Sequence, residues 1–200
     1  MKKNIGLILI LFSIYTFGQN ENLKTKALTF SFNGLNLNQF YGGIGGKVWL
    51  DDYFSLNANI GFNSRNSSNA GNELRTDGKD RSKTILFGVG LEKHFQGLEN
   101  IEPYWMGRIE GSYTDRDYDP SVPIEYQSWG NRTISRTISV ESGMGVEYWV
   151  TDKISLAGQH LFRFYYTTGN SRDYETNSTQ KIITRGFDTG TSSLILAIYF

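Results

Sequence analysis

The chain has no cysteine among its 200 residues. That absence excludes a disulfide framework, a thiolate zinc site, a thiol nucleophile and a lipid-modified N-terminal cysteine. Neither sign of charge is in excess: 20 Lys and Arg stand against 20 Asp and Glu. No net positive field is offered to nucleic acid, and no nucleic-acid partner is expected. Long hydrophobic runs are missing too. Beyond residue 18 no apolar stretch approaches the roughly 18–20 residues of a transmembrane helix, so any membrane span must be built of strands. With 2 histidines, the sequence offers no nucleophile–base pair at usable spacing and no metal-ligand cluster. Catalytic residues, cofactor-binding residues, cofactors and metal ligands are all expected to be none.

What is present is glycine and aromatics: 22 Gly, 12 Tyr, 13 Phe and 4 Trp beside only 3 Pro. Aromatics favour pleated surfaces, and glycine serves turns, bulges and tight interior packing. At the N-terminus, Lys2-Lys3, the apolar stretch Ile5 to Phe12 and Thr16-Phe17-Gly18 have the layout of a cleavable secretory signal peptide, residues 1–18. The alternative is a buried N-terminal helix. The mature part, residues 19–200, is read as one domain.

Period-two alternation dominates that part, the mark of strands with two unlike faces. Phe54, Leu56, Ala58, Ile60 and Phe62 alternate with Ser55, Asn57, Asn59, Gly61 and Asn63. Similar patterns run through Ile85 to Leu91, Ile138 to Tyr148 and Leu194 to Phe200. Turn signals divide the chain into segments near 27–36, 40–50, 53–64, 83–95, 102–114, 133–150, 153–167 and 181–200. The connections alternate in length. Asp51-Asp52, Gln96 to Ile101 and Thr151-Asp152 are short, while 65–82, 115–132 and 168–180 are long and polar. The first external connection, near Leu37 to Gln39, breaks this pattern by being short. The expectation is an all-β, eight-stranded antiparallel up-and-down transmembrane β-barrel, with short turns periplasmic and long loops outside. An internal repeat supports it: Gly43-Ile44-Gly45-Gly46-Lys47-Val48-Trp49-Leu50, Gly88-Val89-Gly90-Leu91-Glu92-Lys93-His94-Phe95 and Gly143-Met144-Gly145-Val146-Glu147-Tyr148-Trp149-Val150 each end a descending strand just before a short turn.

Alternation also assigns faces. With the apolar set outward, Lys47, Asn57, Asn59, Glu92, Arg108, Glu110, Glu141, Glu147, Gln159 and Arg163 line the lumen. Buried charges need partners, so an interior network of Lys47, Glu92, Arg108, Glu110, Glu141, Glu147 and Arg163 is inferred. A barrel of eight strands has an interior about filled by side chains, which argues against a diffusion pore. Aromatics gather near segment ends as two belts: Trp49, Tyr53, Tyr104, Trp105, Tyr148, Trp149 and Tyr199 at one, and Phe40, Tyr41, Phe62, Tyr113, Tyr165 and Tyr166 at the other. Strict parity turns Trp49 and Trp149 inward, and an ordinary aromatic core is the alternative. His160 falls on the apolar face, where a local bulge would be needed to turn it in.

These features resemble the small outer-membrane β-barrel proteins, the porin-family or OmpX/OmpA-transmembrane-like barrels of Gram-negative bacteria, in a style typical of Bacteroidetes. The resemblance rests on the leader, the alternating strands and loops, and a terminal Phe200 after Leu194-x-Leu196-x-Ile198. It implies residence in the cell outer membrane as a monomer among outer-membrane lipid and lipopolysaccharide. It also implies that Leu196, Ile198 and Phe200 form a signal read by the barrel-assembly machinery. Some barrels of this architecture modify lipid A, the deacylase type through His-x-Ser-Asn; here His160 is followed by Leu161-Phe162-Arg163, without the serine. The expected function is a non-enzymatic barrel, structural or binding a surface ligand through its loops. Arg65, Arg75, Lys79, Asp115, Tyr118, Tyr126, Trp129 and Arg172 are among the loop residues suited to a sugar, lipopolysaccharide or protein, or simply to solvation. Asp115, Asp117 and Asp119 alternate like calcium ligands but lack the glycine and closing glutamate of an EF-hand. Two alternatives stand beside this: a soluble periplasmic lipocalin-like barrel holding a hydrophobic ligand, and a lipid A-modifying enzyme.

Overall fold

The computed structural model describes residues 25–33, 41–69, 78–120, 130–174, 176–189 and 192–200. The leader (1–18), the connection at Leu37 to Gln39, Phe40, and the loop residues Arg75, Tyr126 and Trp129 lie outside the described residues.

The strands are β1 (Lys26–Asn33), β2 (Tyr41–Trp49), β3 (Phe54–Asn69), β4 (Gly78–His94), β5 (Ile101–Asp119), β6 (Asn131–Thr151), β7 (Ile154–Asp173), β8 (Thr179–Asp188) and β9 (Ser192–Tyr199). From β1 to β7 each pairs antiparallel with the next. The outer part of β7 pairs with β8, its first part with β9, and β9 returns to β1. β8 and β9 are therefore two halves of one eighth stave, and the sheet closes as the eight-stranded antiparallel barrel expected from the alternation. Around the apolar belt closure leaves no sheet edge, while among the described residues β8 pairs with β7 alone.

The eighth stave is not continuous as 181–200. Arg163 opposes Asp188, but His160 opposes Ser192, so the returning chain advances one residue more than β7 between the two pairs. This surplus has the form of a β-bulge, and it reverses parity. Ile183, Arg185 and Phe187 point outward above it, and Leu194, Ile198 and Phe200 below it.

The long loops are also shorter than expected. The β3–β4 ladder runs on to Asn69–Gly78, β4–β5 to Lys79–Asp119, β5–β6 to Tyr118–Asn131 and β7–β8 to Arg172–Thr179. Much of 65–82, 115–132 and 168–180 is thus a polar collar of hairpins. Both faces there are polar, so no hydrophobic period marks the strand, yet backbone groups still pair. Threonine and serine pairs bridge the staves, Thr84–Thr114 at 2.9 Å, Thr137–Thr167 at 2.8 Å and Thr133–Ser171 at 3.1 Å.

At the opposite end, local side chains shape the tight turns. Asp51 Oδ1 accepts from the Tyr53 and Phe54 amides, both at 2.7 Å, and Thr151 Oγ1 accepts from Lys153 N at 3.2 Å. Of the repeat glycines, Gly43, Gly45, Gly88, Gly90, Gly143 and Gly145 share the inward parity of Lys47, Glu92 and Glu147, and Gly46 faces outward. A Cβ on Gly145 would collide with the Tyr104 ring, and one on Gly45 with the Ala58 carbonyl oxygen.

Candidate functional site

The two faces of the sheet are inverted relative to a soluble protein. Inside, Lys47 is 5% and Glu147 1% exposed; outside, Ile44 is 60% and Phe164 62% exposed. The apolar outer belt runs from Ile85 to Leu91 on β4, Ile138 to Val150 on β6 and Ile154 to Tyr166 on β7, interrupted by the polar Ser142 and His160. Lys83 and Arg136 flank it on the collar side, and Lys93 lies at the turn side with its ammonium 5.8 Å from the Phe54 ring and 5.7 Å from the Phe95 ring.

The inward charges fall into two groups. Near the turn end, Lys47 Nζ lies 2.8 Å from Glu92 Oε2 and 2.8 Å from Glu147 Oε2. Glu92 also accepts from Ser55 Oγ and Asn57 Nδ2, each at 2.9 Å. Glu147 accepts from Ser155 Oγ and from Tyr199 OH. Nearer the middle, Arg108 bonds Glu141 through Nε at 2.9 Å and through Nη2, which also approaches Glu110 at 3.3 Å. Arg163 pairs with Asp188 at 2.6 Å. Asn57, Asn59 and Gln159 face the same lumen, where Gln159 Oε1 accepts from Tyr104 OH at 3.1 Å. Paired and hydrogen-bonded charges of this kind are tolerated in a dry interior; single ones are not.

The remaining cavity between the groups is about 50 Å³. Such a volume holds a few waters.

Part of the expected aromatic belt lies inside instead. Tyr104, Trp149 and Tyr199 are buried, Trp49 packs against Trp149 and Tyr199, and the rings of that pair lie with centroids 4.7 Å apart. They sit at inward parity and form an aromatic floor around Lys47. Tyr53, Trp105 and Tyr148 at the turn end, and Phe62, Tyr113 and Tyr166 toward the collar, remain exposed on the outside.

Several interior residues escaped the sequence reading. His94 lies two residues beyond Glu92 and shares its inward parity, and Glu102 shares that of Arg108 and Glu110; extending the alternation to the strand ends would have found both. Asp188 was hidden by the bulge. The strand ends also bring together three donor residues that the sequence does not group. Donor atoms of His94, Glu102 and Glu147 lie within 4.8 Å of one another, because β4, β5 and β6 converge at the turn end.

His160 stays outward. Its Nδ1 lies 2.9 Å from Ser192 Oγ, directly across the bulged junction, and its ring meets Phe162 edge-on at 5.4 Å. The hydrogen bond satisfies one polar atom on an otherwise apolar face.

The collar carries its own ion pairs. Arg116 grips Asp80 through two bonds of 3.0 Å, and Arg132 grips Asp115 at 3.0 and 2.7 Å. The Arg132 bond holds the Asp115 carboxyl below the usual aspartate range. Asp117 accepts from Tyr174 OH at 3.1 Å. Asp115 and Asp117 are thus bound to different side chains rather than converging as calcium ligands.

No protein-family model matches the chain, and no curated protein does. Among solved structures, the chain is similar to a major outer membrane protein from Thermus thermophilus, with a TM-score of 0.57 and 11% identity over 88% of this chain and 98% of that one. Neisserial surface protein A (NspA) aligns with a TM-score of 0.45 and 15% identity over 88% of this chain and 93% of its own. CarO of Acinetobacter baumannii aligns with a TM-score of 0.38 and 11% identity, covering 91% of this chain and 100% of its own. The likeness to the Thermus protein is one of fold: a closed antiparallel barrel.

Proposed function

We propose that this chain is a non-enzymatic barrel spanning a bacterial outer membrane, with its tight turns in the periplasm and its polar collar outside. The observation that carries this is the inversion of polarity: a belt of Ile, Val, Leu and Phe faces out while Lys47, Glu92 and Glu147 are buried. Water does not tolerate so large a contiguous apolar surface on a soluble monomer, whereas lipid requires one. A soluble lipocalin-like barrel would place these faces the other way round, with an apolar cavity large enough for a ligand. The belt contacts outer-membrane lipid, the collar meets the lipopolysaccharide layer, and outward-facing Leu196, Ile198 and Phe200 on the closing stave serve as the assembly signal. A filled barrel has no need of a partner, so the reading includes a monomer. His160 and Ser192 touch, but among the described residues no carboxylate orients the imidazole, so the pair reads as a satisfied polar contact rather than a hydrolase site. The collar, with Arg and Tyr held on rigid hairpins, is where a surface ligand would bind.

The test is fractionation combined with gel mobility before and after boiling. Outer-membrane residence with a heat-dependent shift supports the reading. A soluble periplasmic protein with no shift overturns it.

A further inference from the structure

The turn-end mouth contains a polar arrangement that neither the barrel nor its role in a membrane explains. His94 is 3% exposed and held between the rings of Trp49 and Tyr104, at centroid distances of 4.4 and 5.1 Å. Its Nε2 lies 3.2 Å from Glu92 Oε2, and since a carboxylate only accepts, Nε2 carries the proton and donates it. Nδ1 is buried and has no hydrogen-bond partner. It faces two more acceptors: Glu102 Oε2 at 3.6 Å and Glu147 Oε2 at 3.9 Å. A bare Nδ1 and two carboxylates turned toward one another repel unless a second ring proton or a metal cation lies between them.

We infer that His94, Glu102 and Glu147 form a binding site for one divalent transition-metal cation of the zinc type at the turn-end mouth of the barrel. The geometry suits such an ion. Tetrahedral ligands about 2.1 Å from zinc stand about 3.4 Å apart, so the two separations from Nδ1 need to contract by only a few tenths of an ångström. Glu92 already takes the role that carboxylates play behind metal-bound histidines, accepting the distal N–H and so fixing which nitrogen is free. Charge agrees as well. The deep cluster sets the carboxylates of Glu92, Glu102 and Glu147 against the single ammonium of Lys47, and a divalent cation restores neutrality. Glu147 Oε2, also bonded to Lys47, supplies the innermost ligand. His94 and Glu102 also line a cavity of about 310 Å³ at the mouth, with Asp52, Tyr53, Gln96 and Glu99. Water and an arriving ion have a path through it. Imidazole with two carboxylates selects a borderline metal over calcium or magnesium, which prefer all-oxygen shells.

The experiment is isothermal titration of the full mature barrel, folded in detergent, with zinc chloride and separately with calcium chloride. Cobalt(II) absorption reports coordination geometry. His94→Phe keeps the ring stack and removes the donor, and Glu102→Gln keeps the shape of a residue at the open mouth and removes its charge. Retention of the heat-dependent gel shift checks that each variant is folded. The inference expects one zinc per chain, no calcium binding, a tetrahedral cobalt spectrum, and affinity reduced at least about tenfold in each folded variant. The absence of a saturable zinc site, or zinc binding undiminished in either folded variant, overturns it. The titration is made without a membrane, so its failure leaves the membrane reading intact.

Discussion

At the scale of the residue, the interior is governed by the rule that a buried charge must be paired. Lys47 holds two carboxylates at once, and around it Ser55, Asn57, Ser155 and Tyr199 donate to the same carboxylates. Lys47→Met keeps the volume of the stem and leaves Glu92 and Glu147 buried without their cation. The expected loss is about 3–5 kcal/mol, the range for breaking a buried pair by removing one partner. Adding Glu92→Gln and Glu147→Gln to that variant removes the orphaned charge and should recover much of the loss. Urea unfolding of the detergent-folded protein, followed by gel mobility, reads both effects. A single variant as stable as the parent would mean that Lys47 carries no such burden. That Lys47, Glu92 and Glu147 face inward was legible from parity alone. Their partners were legible only in part, because parity tells which face a residue occupies and not which stave it meets across the lumen.

At the scale of the element, the staves over the apolar belt were readable and the collar was not. Ile85 to Leu91 carry apolar side chains outward at every second position, whereas Arg65–Ser82 or Asp115–Ile134 pair as strands with little difference between faces. The eighth stave shows the same limit in another form. Reading 181–200 as one strand assumes one parity, but a single extra residue between Asp188 and Ser192 exchanges the faces. This bulge is what lets Phe187 and Leu194, an odd and an even position, both point outward. Removing Thr189 would erase the surplus residue and drive either Ile183, Arg185 and Phe187, or Leu194, Leu196 and Ile198, into a lumen that has no room for them. The expected outcome is loss of the heat-modifiable folded band, and a deletion variant that folds with the parent's mobility would contradict the assignment of the bulge.

At the scale of the whole molecule, a barrel with charges inside and hydrocarbon outside is stable only where its outer surface does not meet water. The tight turns, the aromatic floor and the filled lumen make one end a plug, and the paired hairpins of the collar make the other a rigid rim. The solvent that touches the belt therefore decides where the barrel is stable. Because the chain contains no cysteine, single thiols can be placed without competing labels. Nitroxides attached to Phe87→Cys, Val140→Cys and Met144→Cys in the belt, and to Lys83→Cys and Arg132→Cys in the collar, are to be compared in lipid vesicles. The measurement is collision with molecular oxygen, which concentrates in lipid, against a water-soluble nickel chelate. Belt labels that meet oxygen and exclude nickel, with collar labels showing the reverse, are the predicted result. Belt labels that collide freely with the nickel chelate would contradict the account.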